Sequence, residues 1–134
     1  MPKRYPPEDP REWLNRARSN LAKAKVRRKG VYLEDLCFDA QQAAEKAIKA
    51  VLIKQDVKFP YVHDLAELFT LAEEAGIKTP KSMKMAGELS KFAVFTRYPF
   101  ESSPIVEKEY KEAVKIAEAV LRWAEGVISG KRRK

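Results

Sequence analysis

The sequence predicts an all-α fold, an antiparallel bundle of about five helices, from three observations. Every long apolar segment repeats at the i, i+3, i+4, i+7 spacing of a helix face, and none alternates as a strand would. Three segments open on an acid or hydroxyl residue directly before proline, at Asp9-Pro10, Thr79-Pro80 and Ser103-Pro104, the order of a helix cap and first turn. Five Gly in 134 residues are too few for the tight turns of a hairpin-rich fold. A chain of this length forms one domain and buries about two-thirds of its unfolded surface.

Residues 1–9, with Pro2, Pro6 and Pro7, read as an irregular lead-in, and residues 10–129 as the helical domain. The first helix starts at Asp9-Pro10, with Glu12 placed to complete a capping box, and Gly30 ends it. Its apolar stripe is Trp13, Leu14, Ala17, Leu21 and Ala24. The central helix, Tyr32 to Gln55, carries Leu33, Leu36, Cys37, Ala40, Ala44, Ala47, Ile48 and Val51 on one side. Opposite lies a mixed face of Phe38, Gln42, Glu45, Lys46, Lys49 and Ile53. A solvated face would not spend Phe there, so this face predicts a homodimer interface formed by Phe38, Gln42 and Ile53; in the alternative, Phe38 faces another helix of the same chain and needs no dimer.

Pro60 forbids continuation of the central helix, and a third helix is expected from His63 to Ala75, stopped by Gly76. Thr79-Pro80 opens a fourth, through Phe95, on Met85, Ala86, Leu89, Phe92 and Ala93. Ser103-Pro104 opens the last, on Val106, Tyr110, Ala113, Val114, Ala117, Val120, Leu121 and Ala124. The first, second and fifth helices build the core, with the shorter two at one end.

The formal net charge of +8 is uneven. Residues 1–30 hold ten Lys/Arg against Glu8, Asp9 and Glu12, and Lys131 to Lys134 form a basic tail at 130–134. Such ends bind polyanions by counterion release or serve as solubilising tails. Cys37 is the single cysteine, so an intramolecular disulfide and a cysteine metal site are excluded. The chain has no apolar leader and no apolar run of membrane-spanning length, which predicts a cytoplasmic protein without membrane contact.

Acid and base candidates are few. His63 is the only histidine, so no metal site with two histidines forms within one chain, and no metal or cofactor is expected. His63 or Asp64 caps the third helix in one reading, and His63 borders a pocket in the other. Arg97, followed by Tyr98 and Pro99, lies between helices. Its guanidinium can hold phosphate while Tyr98 stacks on a base, or it can bridge helix-end carbonyls while Tyr98 packs in the core.

Four stretches then line up in order: Trp13-Leu14 with the alanine-containing first helix, Gln41-Gln42-Ala43-Ala44-Glu45-Lys46-Ala47, His63-Asp64-Leu65 and Arg97-Tyr98-Pro99. Together they resemble the landmarks of a prokaryotic stand-alone HEPN domain. The resemblance implies a helical bundle, usually a homodimer, often paired with a small nucleotidyltransferase in a toxin and antitoxin arrangement. Many members cleave RNA without metal, using an arginine followed after four to six residues by histidine. From Arg97 those histidine positions fall on Ser102, Ser103 and Pro104, so the catalytic histidine is lacking.

The reading that follows is a non-enzymatic nucleotide- or RNA-binding module. Arg97 holds phosphate, Tyr98 and His63 border the pocket, and Gln42, Glu45, Lys46 and Lys49 supply polar contacts. Two alternatives stand beside it: a metal-independent endoribonuclease toxin using Arg97 and His63, and a purely structural dimeric subunit.

Overall fold

The computed structural model describes residues 2–61, 64–95 and 104–130. The described residues form five α-helices and one 3-10 helix and contain no strand. The helices are α1 (Pro10–Lys25), α2 (Leu33–Lys54), α3 (Leu65–Glu74), the 3-10 helix (Lys81–Ser90), α4 (Lys91–Phe95) and α5 (Glu107–Ser129).

α1 begins as its cap signal requires, with the Asp9 carboxylate accepting from Arg11 N at 2.8 Å. Glu12 does not close a capping box. Its carboxylate accepts from Tyr5 N at 3.0 Å and from Arg16 Nε at 2.7 Å, which pins the lead-in against the helix. Asn15 and Trp13 add to this by donating to the carbonyls of Lys3 and Pro7. The helix ends at Lys25, earlier than Gly30. Continuing it would stack Lys25 and Lys29 one turn apart as like charges. Instead Val26 turns extended, and Gly30 takes φ +86° within the link to α2.

α2 is surrounded on most of its circumference. The predicted stripe from Leu36 to Val51 is buried, Leu33 is half-buried, and Ala43, Ala50 and Leu52 join the core. At its C-terminus Asp56 adopts φ +57° while Val57 N donates to Leu52 O at 2.8 Å, and the connection folds back along the helix.

α3 starts at Leu65, with the Asp64 carboxylate as its cap at 3.0 Å from Ala66 N. It ends on Gly76 at φ +83°, with Gly76 N bonded to Glu73 O and Ile77 N to Ala72 O. His63, expected as its first residue, lies outside the described residues.

The predicted fourth helix divides. Its first ten residues wind as a 3-10 helix with Pro80 at the cap position, and Thr79 makes no cap bond there. Three residues per turn place Met83, Ala86 and Leu89 on one buried line, which Phe92 extends from α4, and leave Met85 57% exposed, so Met85 is not part of the stripe. Gly87 sits where an added Cβ would lie 3.6 Å from Ala66 Cβ, the point at which this segment approaches α3.

α5 begins at Glu107 and not directly after Pro104, and Ser103 lies outside the described residues. Val106 precedes the helix and is exposed, while Tyr110, Ala113, Ala117, Val120, Leu121 and Ala124 are buried as predicted. The Tyr110 hydroxyl donates to Ala24 O at 2.6 Å, joining the start of α5 to the end of α1.

α1 runs antiparallel to both α2 and α5. Its other face makes ion pairs to α5 from Arg18 to Glu125 and Lys25 to Glu118, and Arg27, just past its end, pairs with Glu107. α2 and α5 run side by side in one direction: Ile105 N reaches Glu34 at their starts, and Ile53 and Ile128 line one shallow pocket at their ends. The segment from α3 to α4 makes this direction attainable by carrying the chain back. Trp123 packs on Phe69 with ring centroids 5.4 Å apart and donates to Lys78 O, anchoring that excursion at the far end of α5.

Candidate nucleotide or RNA interface

α2 supplies the polar side chains predicted for the site, and the bundle sorts them into two groups. Gln42 Nε2 donates to Gln41 Oε1 at 2.7 Å, Gln41 Nε2 to Glu45 Oε1 at 2.9 Å, and Lys49 Nζ to Glu45 Oε2 at 2.9 Å. Spacing of four residues puts Gln41, Glu45 and Lys49 in a row along one helix edge. All three are buried, whereas Gln42 is half-buried.

The burial of Glu45 and Lys49 corrects their placement on an outward face. The α2 to α3 connection doubles back so that Phe59 and Tyr61 flank Lys49, with ring centroids 5.6 and 5.7 Å from its ammonium. Phe59 packs on the core, and Tyr61 is 98% exposed. A buried carboxylate and ammonium are costly to desolvate, and their mutual attraction repays that only with good hydrogen bonding. Both Glu45 oxygens accept such bonds here.

Lys46 belongs to a second group. Its ammonium donates to Asn20 Oδ1 at 2.7 Å, Asn20 Nδ2 donates to Asp39 Oδ1 at 3.1 Å, and Lys23 pairs with the same carboxylate at 3.2 Å. Half-burial, followed by the neighbouring Arg16 charge, holds the Lys46 ammonium below the usual lysine range. The four side chains predicted on α2 therefore do not converge on one point.

Phe38 and Ile53, predicted at a dimer interface with Gln42, are both half-buried and stand outside the core cluster. Fifteen residues separate them, about 22 Å along a helix axis. Cys37, by contrast, is fully buried, and burial pushes its thiol up to about 12, far from a reactive thiolate. Arg97, Tyr98 and His63 lie outside the described residues, as do Ser102 and Ser103.

Sequence reasoning missed Asn20, Gln41, Phe59 and Tyr61. Two carried a signal: Gln41 and Asn20 are polar residues at positions where the periodicity of their helices calls for apolar ones. Tyr61 carried none, because only the folded-back connection sets it beside Lys49.

The profile of the HEPN domain matches residues 10–127. The chain belongs to the HEPN family. Its fold is similar to the crystal structure of ST0689, an archaeal HEPN homologue, with a TM-score of 0.73 and 28% identity over 90% of this chain and 98% of the other. It is similar also to the crystal structure of TT1696 from Thermus thermophilus, with a TM-score of 0.75 and 29% identity over 88% of this chain and 97% of the other. No curated protein matches the chain. The matched residues include the stretch of α2 that holds the buried Gln41, Glu45 and Lys49 row. No helix among the described residues is long and apolar enough to cross a membrane.

Proposed function

We propose that this HEPN domain is a homodimeric nucleotide- or RNA-binding module that pairs with a small nucleotidyltransferase subunit and leaves RNA intact. The observation that carries this reading is the exposed Tyr61 ring beside the buried, hydrogen-bonded Glu45 and Lys49 pair. An exposed ring offers a base a stacking surface, and the cation beneath it is held at fixed position by its own carboxylate. Arg97 supplies the forked donor for phosphate, with Tyr98 and His63 at the border. Gln42, between Phe38 and Ile53, lies on the strip that faces the second copy.

Cleavage is not part of the reading, because Ser102 and Ser103 stand where the family places histidine, and an unassisted hydroxyl is a poor base near neutrality. The test measures nucleotide and RNA binding of the purified protein together with RNA integrity in chelator. Binding weakened by Arg97→Ala and by Tyr61→Ala, with RNA intact, supports the module. Arg97-dependent cleavage would restore the ribonuclease with His63 as its partner, and absence of binding would leave a structural subunit. Light scattering that gives a monomer at micromolar concentration would remove the dimer.

A further inference from the structure

The positive charge of the first thirty residues does not surround α1 evenly. On the side facing α5, Arg18, Lys25 and Arg27 each meet a glutamate, so that side is close to neutral. On the side facing α2 the balance differs. Arg16, Ser19, Asn20 and Lys23 share one face of α1, at spacings of three and four residues. Lys46 reaches this face from α2 through Asn20, and the pinned lead-in adds Lys3 and Arg4, which line a groove of about 250 Å³ with Asn15, Arg16 and Ser19.

Five cations, Lys3, Arg4, Arg16, Lys23 and Lys46, thus meet two carboxylates, Glu12 and Asp39. The excess of three is continuous, since Arg16 lines the groove and stands one turn from Asn20, which holds Lys46. From Arg16 to Lys23 the face runs about 10 Å, and the lead-in extends it. A linear anion fits a stripe of this kind better than a compact one.

We propose that the seam between α1 and α2, from Lys3 and Arg4 through Arg16 and Lys46 to Lys23, binds the phosphate backbone of single-stranded RNA. This rests on the nucleotide- or RNA-binding reading and selects RNA from its two ligand classes. Arg16 and Lys23 are exposed, and each has N–H donors beyond the one that meets its carboxylate to offer to phosphate, while Lys46, held by Asn20, marks the middle of the track. Ser19 adds a hydroxyl donor beside Arg16.

The experiment uses the full chain, a single-stranded RNA of about 12 nucleotides and a mononucleotide, titrated over a range of salt. The variant Arg16→Gln/Lys23→Gln, checked for an unchanged helical spectrum and melting transition, should bind the RNA more weakly. Its salt slope should fall by about 0.7 for each phosphate no longer neutralised, so by about 1.4, while mononucleotide binding stays unchanged. RNA affinity and slope equal to those of the parent would overturn the seam, as would absence of RNA binding by the parent at low salt. Arg97→Ala separates the two proposals. Binding lost there but kept in the seam variant removes the seam alone, whereas the reverse pattern keeps the seam and removes the Arg97 site. A chain lacking Lys131 to Lys134 that loses all RNA affinity, with the seam variant at parental affinity, would assign binding to the tail.

Discussion

Lys49 Nζ lies 2.9 Å from Glu45 Oε2, one helical turn away, and both side chains are buried to within a few per cent. Breaking such a pair from one side strands the other charge, at a cost of about 3–5 kcal/mol. Total stability for a domain is about 5–15 kcal/mol, so either single change removes a large share of it. Lys49→Met and Glu45→Gln should each lower the urea midpoint strongly. The double variant Glu45→Met/Lys49→Met should recover part of the loss, because two apolar side chains replace two desolvated charges while Gln41 Nε2 loses its Glu45 acceptor. A double variant as unstable as the sum of the singles would contradict this account.

Acid should first loosen the lead-in. Hydrogen bonds from Tyr5 N and Arg16 hold the Glu12 carboxyl below its ordinary value of 4.5. A depressed folded value means that this contribution is present above about pH 4.5 and is lost as pH falls through the folded value. Limited proteolysis should therefore begin to cut before Pro10 at acid pH while α1 to α5 stay protected. Glu12→Gln should show the same release at neutral pH, and no change in cutting would count against Glu12 as the clasp.

Base should act on the core. Burial raises the Cys37 thiol from 9.0 to about 12 and raises the Tyr110 phenol from 10.0. Folding favours the neutral form of each, so their contribution is complete below the unfolded values and is lost as pH rises toward the folded ones. Stability should fall from about pH 9 upward, and Cys37→Ala should flatten part of that slope. A thiol reagent at about pH 8 should label Cys37 only on unfolding, since a buried neutral thiol is a poor nucleophile. Rapid labelling of the folded protein would refute the burial argument.

Much of the bundle was legible because local signals and tertiary packing agree. α2 lies within one residue of its predicted ends, and the α5 stripe from Tyr110 to Ala124 is buried as its period requires. The 3-10 segment was not legible, because Ala86, Leu89 and Phe92 fit a period of three and a period of 3.6 alike over so few turns. Buried Met83 and exposed Met85 distinguish them. The buried row on α2 escaped for a different reason. Lys49 is covered by Phe59 and Tyr61, ten and twelve residues later, and nothing in the spacing of α2 announces that the chain will double back. Arg97, Tyr98 and His63 lie outside the described residues.

The winding of Lys81–Ser90 also sets a length. Ten residues at the 3-10 rise cover about 20 Å, where an α-helix would cover about 15 Å. An α-helical segment would need about three more residues to make the same crossing from the Trp123 end of α5 toward Glu109. Rewinding these ten residues as α would withdraw Phe92 by about 5 Å from its seat in the core. The triplet spacing from Met83 to Phe92 therefore acts as a ruler that delivers α4 to the end of the bundle where α2 and α5 both begin.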